Sequence, residues 1–169
     1  TEFRVVHAAW HFSSIKKLKN QNVQNDDFIK TTMRPDSEFK KAIQNILQGI
    51  KVPIPPELSY KDRFGIERKR ARIRWWEKKR NILTGTNIFP RCKELIQTEF
   101  TNKGDIDCEF YSQNEKIVFF GHYCLPEPEP KIITNLVCLD GCVTCDHALW
   151  GYQYYVGEKP KTKRLVKVK

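Results

Sequence analysis

The chain has 169 residues, 40% hydrophobic and 30% charged, with a formal net charge of +10. That is long enough and apolar enough for a real core, and it argues against disorder. The longest apolar run, Ile117–Phe120, is far short of the roughly 20 residues a bilayer-spanning helix needs, and no leader-like segment is visible, so a cytoplasmic domain with no membrane partner is expected.

The β-branched and aromatic run Phe3–Val6 predicts a buried strand that ends at His7 and leads to Ala8-Ala9-Trp10. Helical spacing follows over Ser13–Asn20, Asp26–Met33 and Ser37–Gly49. In the last of these, Ser37 is the expected N-cap, Phe39, Ile43, Ile46 and Leu47 form an apolar stripe, and Gly49 is the stop. His11 reads as a surface or capping neighbour of the first helix. Beyond Pro55-Pro56, Glu57–Phe64 and Ile66–Trp76 read as a hairpin that turns at Phe64-Gly65. In its second arm, Lys69, Ala71, Ile73 and Trp75 alternate with Arg68, Arg70, Arg72 and Arg74, the period of a strand with one packed and one cationic face. Lys78–Glu115 reads as loops with a short helical segment near Pro90–Phe100. A second apolar strand, Lys116–Phe120, runs through Gly121 into His122 and Tyr123. Glu127-Pro128-Glu129-Pro130 is an extended connection. Ile132–Leu139 and Ala148–Val156 read as an antiparallel pair, with Trp150, Tyr152, Tyr154 and Tyr155 as packing residues, and Arg164–Val168 adds a short strand in the cationic tail.

A single histidine at a strand end is ordinarily a hydrogen-bonded structural residue. In an open α/β sheet, however, ligands gather outside the carboxyl ends of the strands. Two histidines placed there by separate strands form a pair of imidazole ligands for a metal. The flanking residues carry more. Val5-Val6-His7-Ala8-Ala9-Trp10, taken with Val118-Phe119-Phe120-Gly121-His122-Tyr123, resembles the calcineurin-like metallophosphoesterases, in the bacterial branch similar to diadenosine tetraphosphatases and serine/threonine protein phosphatases. Asn135-Leu136-Val137-Cys138-Leu139-Asp140 and the following Gly141-Cys142-Val143 look like that family's N-x-x-C-L-D strand and turn. Leu149 to Glu158 looks like its closing strand, and Tyr60–Gly65 with Arg72–Trp76 like its hairpin insert.

The resemblance implies an α/β fold: the C-terminal half of a four-layer α-β-β-α sandwich, one partial domain over residues 1–169, with a mixed sheet and a basic hairpin insert at about 57–76. The family's D-x-H, G-D-x-x-D-R-G and G-N-H-E motifs are absent; Gly104-Asp105 and Gly65-Ile66-Glu67 come nearest and lack the partner residues. This implies a longer enzyme whose N-terminal half is the chain's partner, and an exposed sheet edge where that half pairs. His7 and His122 would each hold one ion of a two-metal centre of manganese, iron or zinc that hydrolyses a phosphate-bearing substrate. The half alone would be weak or inactive. Arg72 and Arg74 are candidates for a phosphate clamp, and Tyr123 for a residue lining the site.

Two other classes stay open on the residues themselves. The stretch Arg68–Arg80, with Trp75 and Trp76 among its cations, suits a nucleic-acid or polyanion binder, although the alternation favours an ordinary solvated face. Cys138, Cys142, Cys145 and His147 fall within ten residues, a spacing that suggests a zinc-stabilised interaction module. Only Cys142-Val143-Thr144-Cys145 forms a C-x-x-C pair, and Cys138 reads as a small hydrophobe in a core strand. The thiols are expected to be reduced, and Cys92, Cys108 and Cys124 show no partner pattern.

Overall fold

The computed structural model describes the chain apart from residues 1, 56–57, 63–64, 78–82, 85–86, 91–92, 97–98, 101–110 and 126. In chain order the elements are β1 (Phe3–Val5), α1 (Phe12–Leu18), α2 (Asp26–Met33), α3 (Glu38–Gln48), β2 (Lys51–Pro53), β3 (Tyr60–Lys61), β4 (Glu67–Arg68), β5 (Arg70–Ile73), β6 (Leu83–Thr84) and β7 (Ile88–Phe89). Then come α4 (Lys93–Ile96), β8 (Glu99–Phe100), β9 (Ile117–Phe120), β10 (Ile132–Ile133), β11 (Leu136–Cys138), α5 (Val143–Asp146), β12 (Leu149–Tyr152) and β13 (Leu165–Val168). They divide into two units: Thr1–Gln48 with Tyr111–Lys169, and Gly49–Phe110. The protein is thus of α/β class, built from helices and a mixed sheet.

The first unit is organised by a four-stranded sheet in the order β1-β9-β11-β10. β9 pairs in parallel with both β1 and β11, and β10 closes the sheet antiparallel to β11. The inner strands are short apolar runs, and Val118, Phe120, Leu136, Val137 and Cys138 are buried, as expected for strands covered on both faces. Successive residues of a strand face opposite ways, and β1 shows the consequence. Phe3 meets the rings of Phe119 and Tyr154 at 5.5 and 5.1 Å. Arg4 lies over the Trp10 ring, 4.8 Å from its centre, and donates to the Tyr111 hydroxyl (2.6 Å) and the Glu115 carboxylate (2.7 Å).

The three expected helices are present: α2 has the expected bounds, α1 starts one residue and ends two residues earlier, and α3 is one residue shorter at each end. His11 caps α1, but it is buried rather than on the surface: its Nδ1 accepts from the Ser14 amide at 3.3 Å. Asn25 caps α2 by accepting from the amides of Asp27 and Phe28. Ser37 precedes α3 as expected, yet its Oγ makes no hydrogen bond and only its carbonyl joins the helix, accepting from Lys41. Gly49 ends the helical run with a φ of 80°, a conformation glycine adopts without penalty.

The pairing of the last strands departs from the sequence expectation. Ile132–Leu139 is not one strand. It folds back through the two-residue turn Thr134-Asn135, so that β10 pairs with β11. β12 pairs instead with the tail strand β13. Thr134 takes a left-handed backbone in the turn, φ 55°, and Asn135 anchors it. The Asn135 side-chain amide donates to the carbonyls of Ser112 and Glu115 at 3.0 and 2.9 Å, clamping the start of β11 to the turn ahead of β9.

In the second unit, the expected hairpin exists only at its tip, where β3 pairs with β4; residues 57, 63 and 64 of that hairpin lie outside the described residues. At Lys69 the chain changes partner, and β5 pairs with β2 and β7. Ala71 and Ile73 are buried as the alternation requires, while Lys69 is exposed and Arg74 buried, because the strand spans only Arg70–Ile73 and both residues lie outside it.

Asn135→Ala removes the side-chain donor to the Glu115 and Ser112 carbonyls, of which Ser112 O keeps the Glu115 amide at 3.1 Å. It is expected to lower the stability of the chain by about 1–3 kcal/mol in denaturant unfolding. An unchanged midpoint would show that the clamp contributes nothing.

Candidate functional site

Parallel pairing brings the carboxyl ends of β1, β9 and β11 to one edge of the sheet, and the ladder continues past the strands. The Val6 amide donates to Phe119 O (3.0 Å), Gly121 N to His7 O (2.9 Å) and Leu139 N to Phe120 O (2.8 Å). Val5 is registered on Phe119 and Cys138 on Phe120. Two residues further on, His7 therefore faces Gly121 and Asp140 falls beside His122. The amides of Ala8 and Ala9 both donate to Ile46 O in the last turn of α3, which fixes the chain leaving β1.

The two histidines meet at this edge. His7 Nε2 and His122 Nδ1 are 3.2 Å apart, with ring planes tilted by 52°. His122 holds a left-handed backbone, φ 66°, which non-glycine residues adopt only where their surroundings impose it. The pair sits in a cleft of about 600 Å³ with Val5, Phe119, Leu149 and Trp150 among its walls. Two imidazole ligands on one tetrahedral ion, each about 2.0–2.1 Å from it, stand about 3.3 Å apart. The observed spacing therefore suits one shared ion better than the expected one ion per histidine. Among the described residues, no third His, Cys, Asp or Glu ligand atom joins the pair.

Asp140, the acid nearest in register, is already engaged. Its Oδ2 accepts from the Cys124 amide (3.0 Å) and its Oδ1 from the Cys142 amide (2.9 Å). One carboxylate thus ties together the loops that follow β9 and β11. Gly141 lies under the Trp150 indole so closely that a Cβ there would overlap the ring. The ammonium groups of Lys131 and Lys167 each lie 5.1 Å from the centre of that indole, and buried Lys131 also donates to Leu125 O.

The cysteines gather differently from the sequence expectation. Cys124 and Cys142 are joined as a disulfide, which departs for this pair from the expectation of reduced thiols, while Cys138 and Cys145 are free; the Cys145 sulfur lies 3.1 Å from that of Cys142. All three sulfurs lie within 4.8 Å of one another. Cys138 is not among them: it is wholly buried in β11, its thiol directed to Asp140 O at 3.7 Å. Exposed His147 takes no part either. Cys124 was missed because it stands 18 residues from Cys142. The available signal was its position, four residues past β9, where Cys142 is four residues past β11. Cys92, Cys108 and Gly104-Asp105 lie outside the described residues.

The expected substrate contacts fare less well. Tyr123 is fully buried, packed edge-on against Phe120 at 6.2 Å, and does not line the cleft. Arg74 is buried and ion-paired with Glu77 at 2.6 Å, which uses its charge inside the second unit. Arg72 belongs to the same unit, with its guanidinium 5.6 Å from the centre of the Phe89 ring. Arg68 makes two bonds to the Asp62 carboxylate, at 2.9 and 2.7 Å. Lys51 lies directly across the ladder from Arg72. Its pKa is lowered by burial first, then by the charges of Arg72, Arg70 and Arg68.

No protein-family model, curated protein or solved structure matches the chain. Among the described residues, no helix is long and apolar enough to cross a membrane.

Burial pushes the Cys138 thiol up from its usual value of 9.0 to about 12. Below pH 9 the folded and unfolded chains both keep this proton; between pH 9 and 12 only the unfolded chain releases it, so stability falls as pH rises through that window. Cys138→Ala should flatten this part of the decline in urea unfolding. An identical slope in both proteins would show that the buried thiol does not contribute.

Proposed function

We propose that this chain contributes part of the metal centre of an enzyme that hydrolyses phosphoester or phosphoanhydride bonds, within a four-layer α-β-β-α domain of the calcineurin-like metallophosphoesterase type. The observation that carries the reading is the approach of His7 and His122 to 3.2 Å across 115 residues of sequence, on adjoining parallel strand ends. A hydrogen-bonded pair of structural histidines could share that distance. The resemblance of both flanking segments to the family, together with the cleft above the rings, favours ligands.

Manganese, iron and zinc all accept imidazole nitrogen. When bound, divalent ions would supply a hydroxide nucleophile and neutralise phosphoryl oxygens. The chain's own residues do the positioning. His7 and His122 present one nitrogen each, and the His7–Gly121 backbone bond holds their strand ends in register. Val5, Phe119 and Leu149 give the cleft an apolar wall. The chain's remaining partner is the other half of the domain, which would provide the carboxylate ligands. β1 lies at the end of its sheet and Val5 is 67% exposed, so an edge is open to such a half. Arg74 and Tyr123 have no part in substrate contact, since both are buried among their own neighbours.

Manganese is the useful probe because it prefers oxygen and nitrogen ligands to thiolates. Titrated into the chain, it should bind, and His7→Ala or His122→Ala should each weaken binding by roughly 10-fold or more. Reassembled with the rest of its domain, the protein should hydrolyse p-nitrophenyl phosphate, and either substitution should abolish turnover. Manganese affinity indifferent to both substitutions would refute the metal role of the pair.

A further inference from the structure

We propose that Cys124, Cys142 and Cys145, in their reduced state, form a second metal site, specific for a thiophilic divalent cation of the zinc class and separate from the histidine pair. Three sulfurs from two loops lie within 4.8 Å of one another. Three thiolates around one zinc ion, each about 2.3 Å from it, have sulfurs about 3.8 Å apart; Cys142 and Cys145, at 3.1 Å, are near that spacing, and Cys124 joins them once its bond to Cys142 is opened.

The loops are held for it. Asp140 accepts from the backbone amides of Cys124 and Cys142 with its two carboxylate oxygens, at 3.0 and 2.9 Å. The amide of Cys145 donates to Cys142 O at 2.7 Å, which folds the C-x-x-C segment into the tight turn at the start of α5. The Thr144 hydroxyl lies 3.8 Å from the Cys142 sulfur, near enough to support a thiolate. Cys145 is exposed, so an ion has a way in from solvent. The three thiolates fill three positions of a tetrahedral shell and leave the fourth to water.

The Cys124–Cys142 disulfide and the metal site are alternative states of the same sulfurs. Opening the bond takes two electrons and two protons. A phosphine reductant supplies the electrons and becomes its oxide, with oxygen and protons from water. Binding the cation then displaces the thiol protons into solution.

The test uses the full chain, reduced with a phosphine, supplied with zinc and freed of excess by gel filtration. One equivalent of zinc should remain and be released by a thiol-blocking reagent. Cys145→Ser should weaken its binding by roughly 100-fold or more, while Cys138→Ser should keep it. The His7→Ala/His122→Ala double variant should also keep it, which separates this site from the proposed hydrolytic centre: loss of zinc in that variant would place the ion at the histidines and overturn the inference. Because a cysteine substitution can impair folding, cobalt added to the unaltered reduced chain gives a second reading. Thiolate-to-cobalt charge-transfer absorption is expected. Its absence with all thiols reduced, or zinc retained in Cys145→Ser, would overturn the proposal.

Discussion

The parallel registration of β1, β9 and β11 is the constraint on which the rest of the first unit depends. Hydrogen bonds beyond the strand ends, from Gly121 to His7 and from Leu139 to Phe120, extend that registration into the loops. Residues at equal distances past registered positions then become neighbours, however far apart they stand in sequence. The adjacency of Cys124 and Cys142 follows from this, and His7 faces Gly121, which brings it within reach of the next residue, His122. A slip of one residue between β9 and β1 would send alternate side chains to the opposite face and separate the histidines, and a slip between β9 and β11 would separate the cysteines.

Asp140 has the same role at the level of the loops. An acid at a strand end beside two imidazoles invites assignment as a metal ligand. The structure uses both of its oxygens on backbone amides instead. Such bonds to a charged acceptor are stronger than those between neutral groups, and here they hold a left-handed residue in each loop: Cys124 at φ 45° and Cys142 at φ 66°. Without them, neither backbone conformation has an evident reason to persist. The carboxylate therefore supports the geometry of the site rather than its coordination.

What the sequence disclosed and what it hid follow from how far apart the interacting residues are. Helices α2 and α3 were legible because their signals are local: an acidic first turn at Asp26 and Asp27, and an apolar stripe from Phe39 to Leu47. The strands ending near His7 and His122 were legible as short apolar runs. The partner of β12 was not, since any exposed strand satisfies its alternation and only the assembled fold selects β13. The grouping of Cys124 with Cys142 was hidden for the same reason: it is a property of strand order, which one sequence does not display. Arg74 was misread because its place in the alternation predicts a solvated side chain, whereas the strand stops at Ile73 and the period no longer applies. Glu77, three residues on, gives the buried guanidinium its counter-charge.

The short segment between the histidine and cysteine groups shows how the two groups are kept apart on one edge. His122 and Cys124 are separated only by Tyr123, whose ring is fully buried against Phe120. A large aromatic anchored in the core fixes the backbone on either side of it. His122 is thereby committed to the cleft beside His7, and Cys124 to the loop held by Asp140. Imidazole nitrogens and thiolates select differently among cations. Tyr123 thus stands between His122, which faces His7, and Cys124, whose amide donates to Asp140.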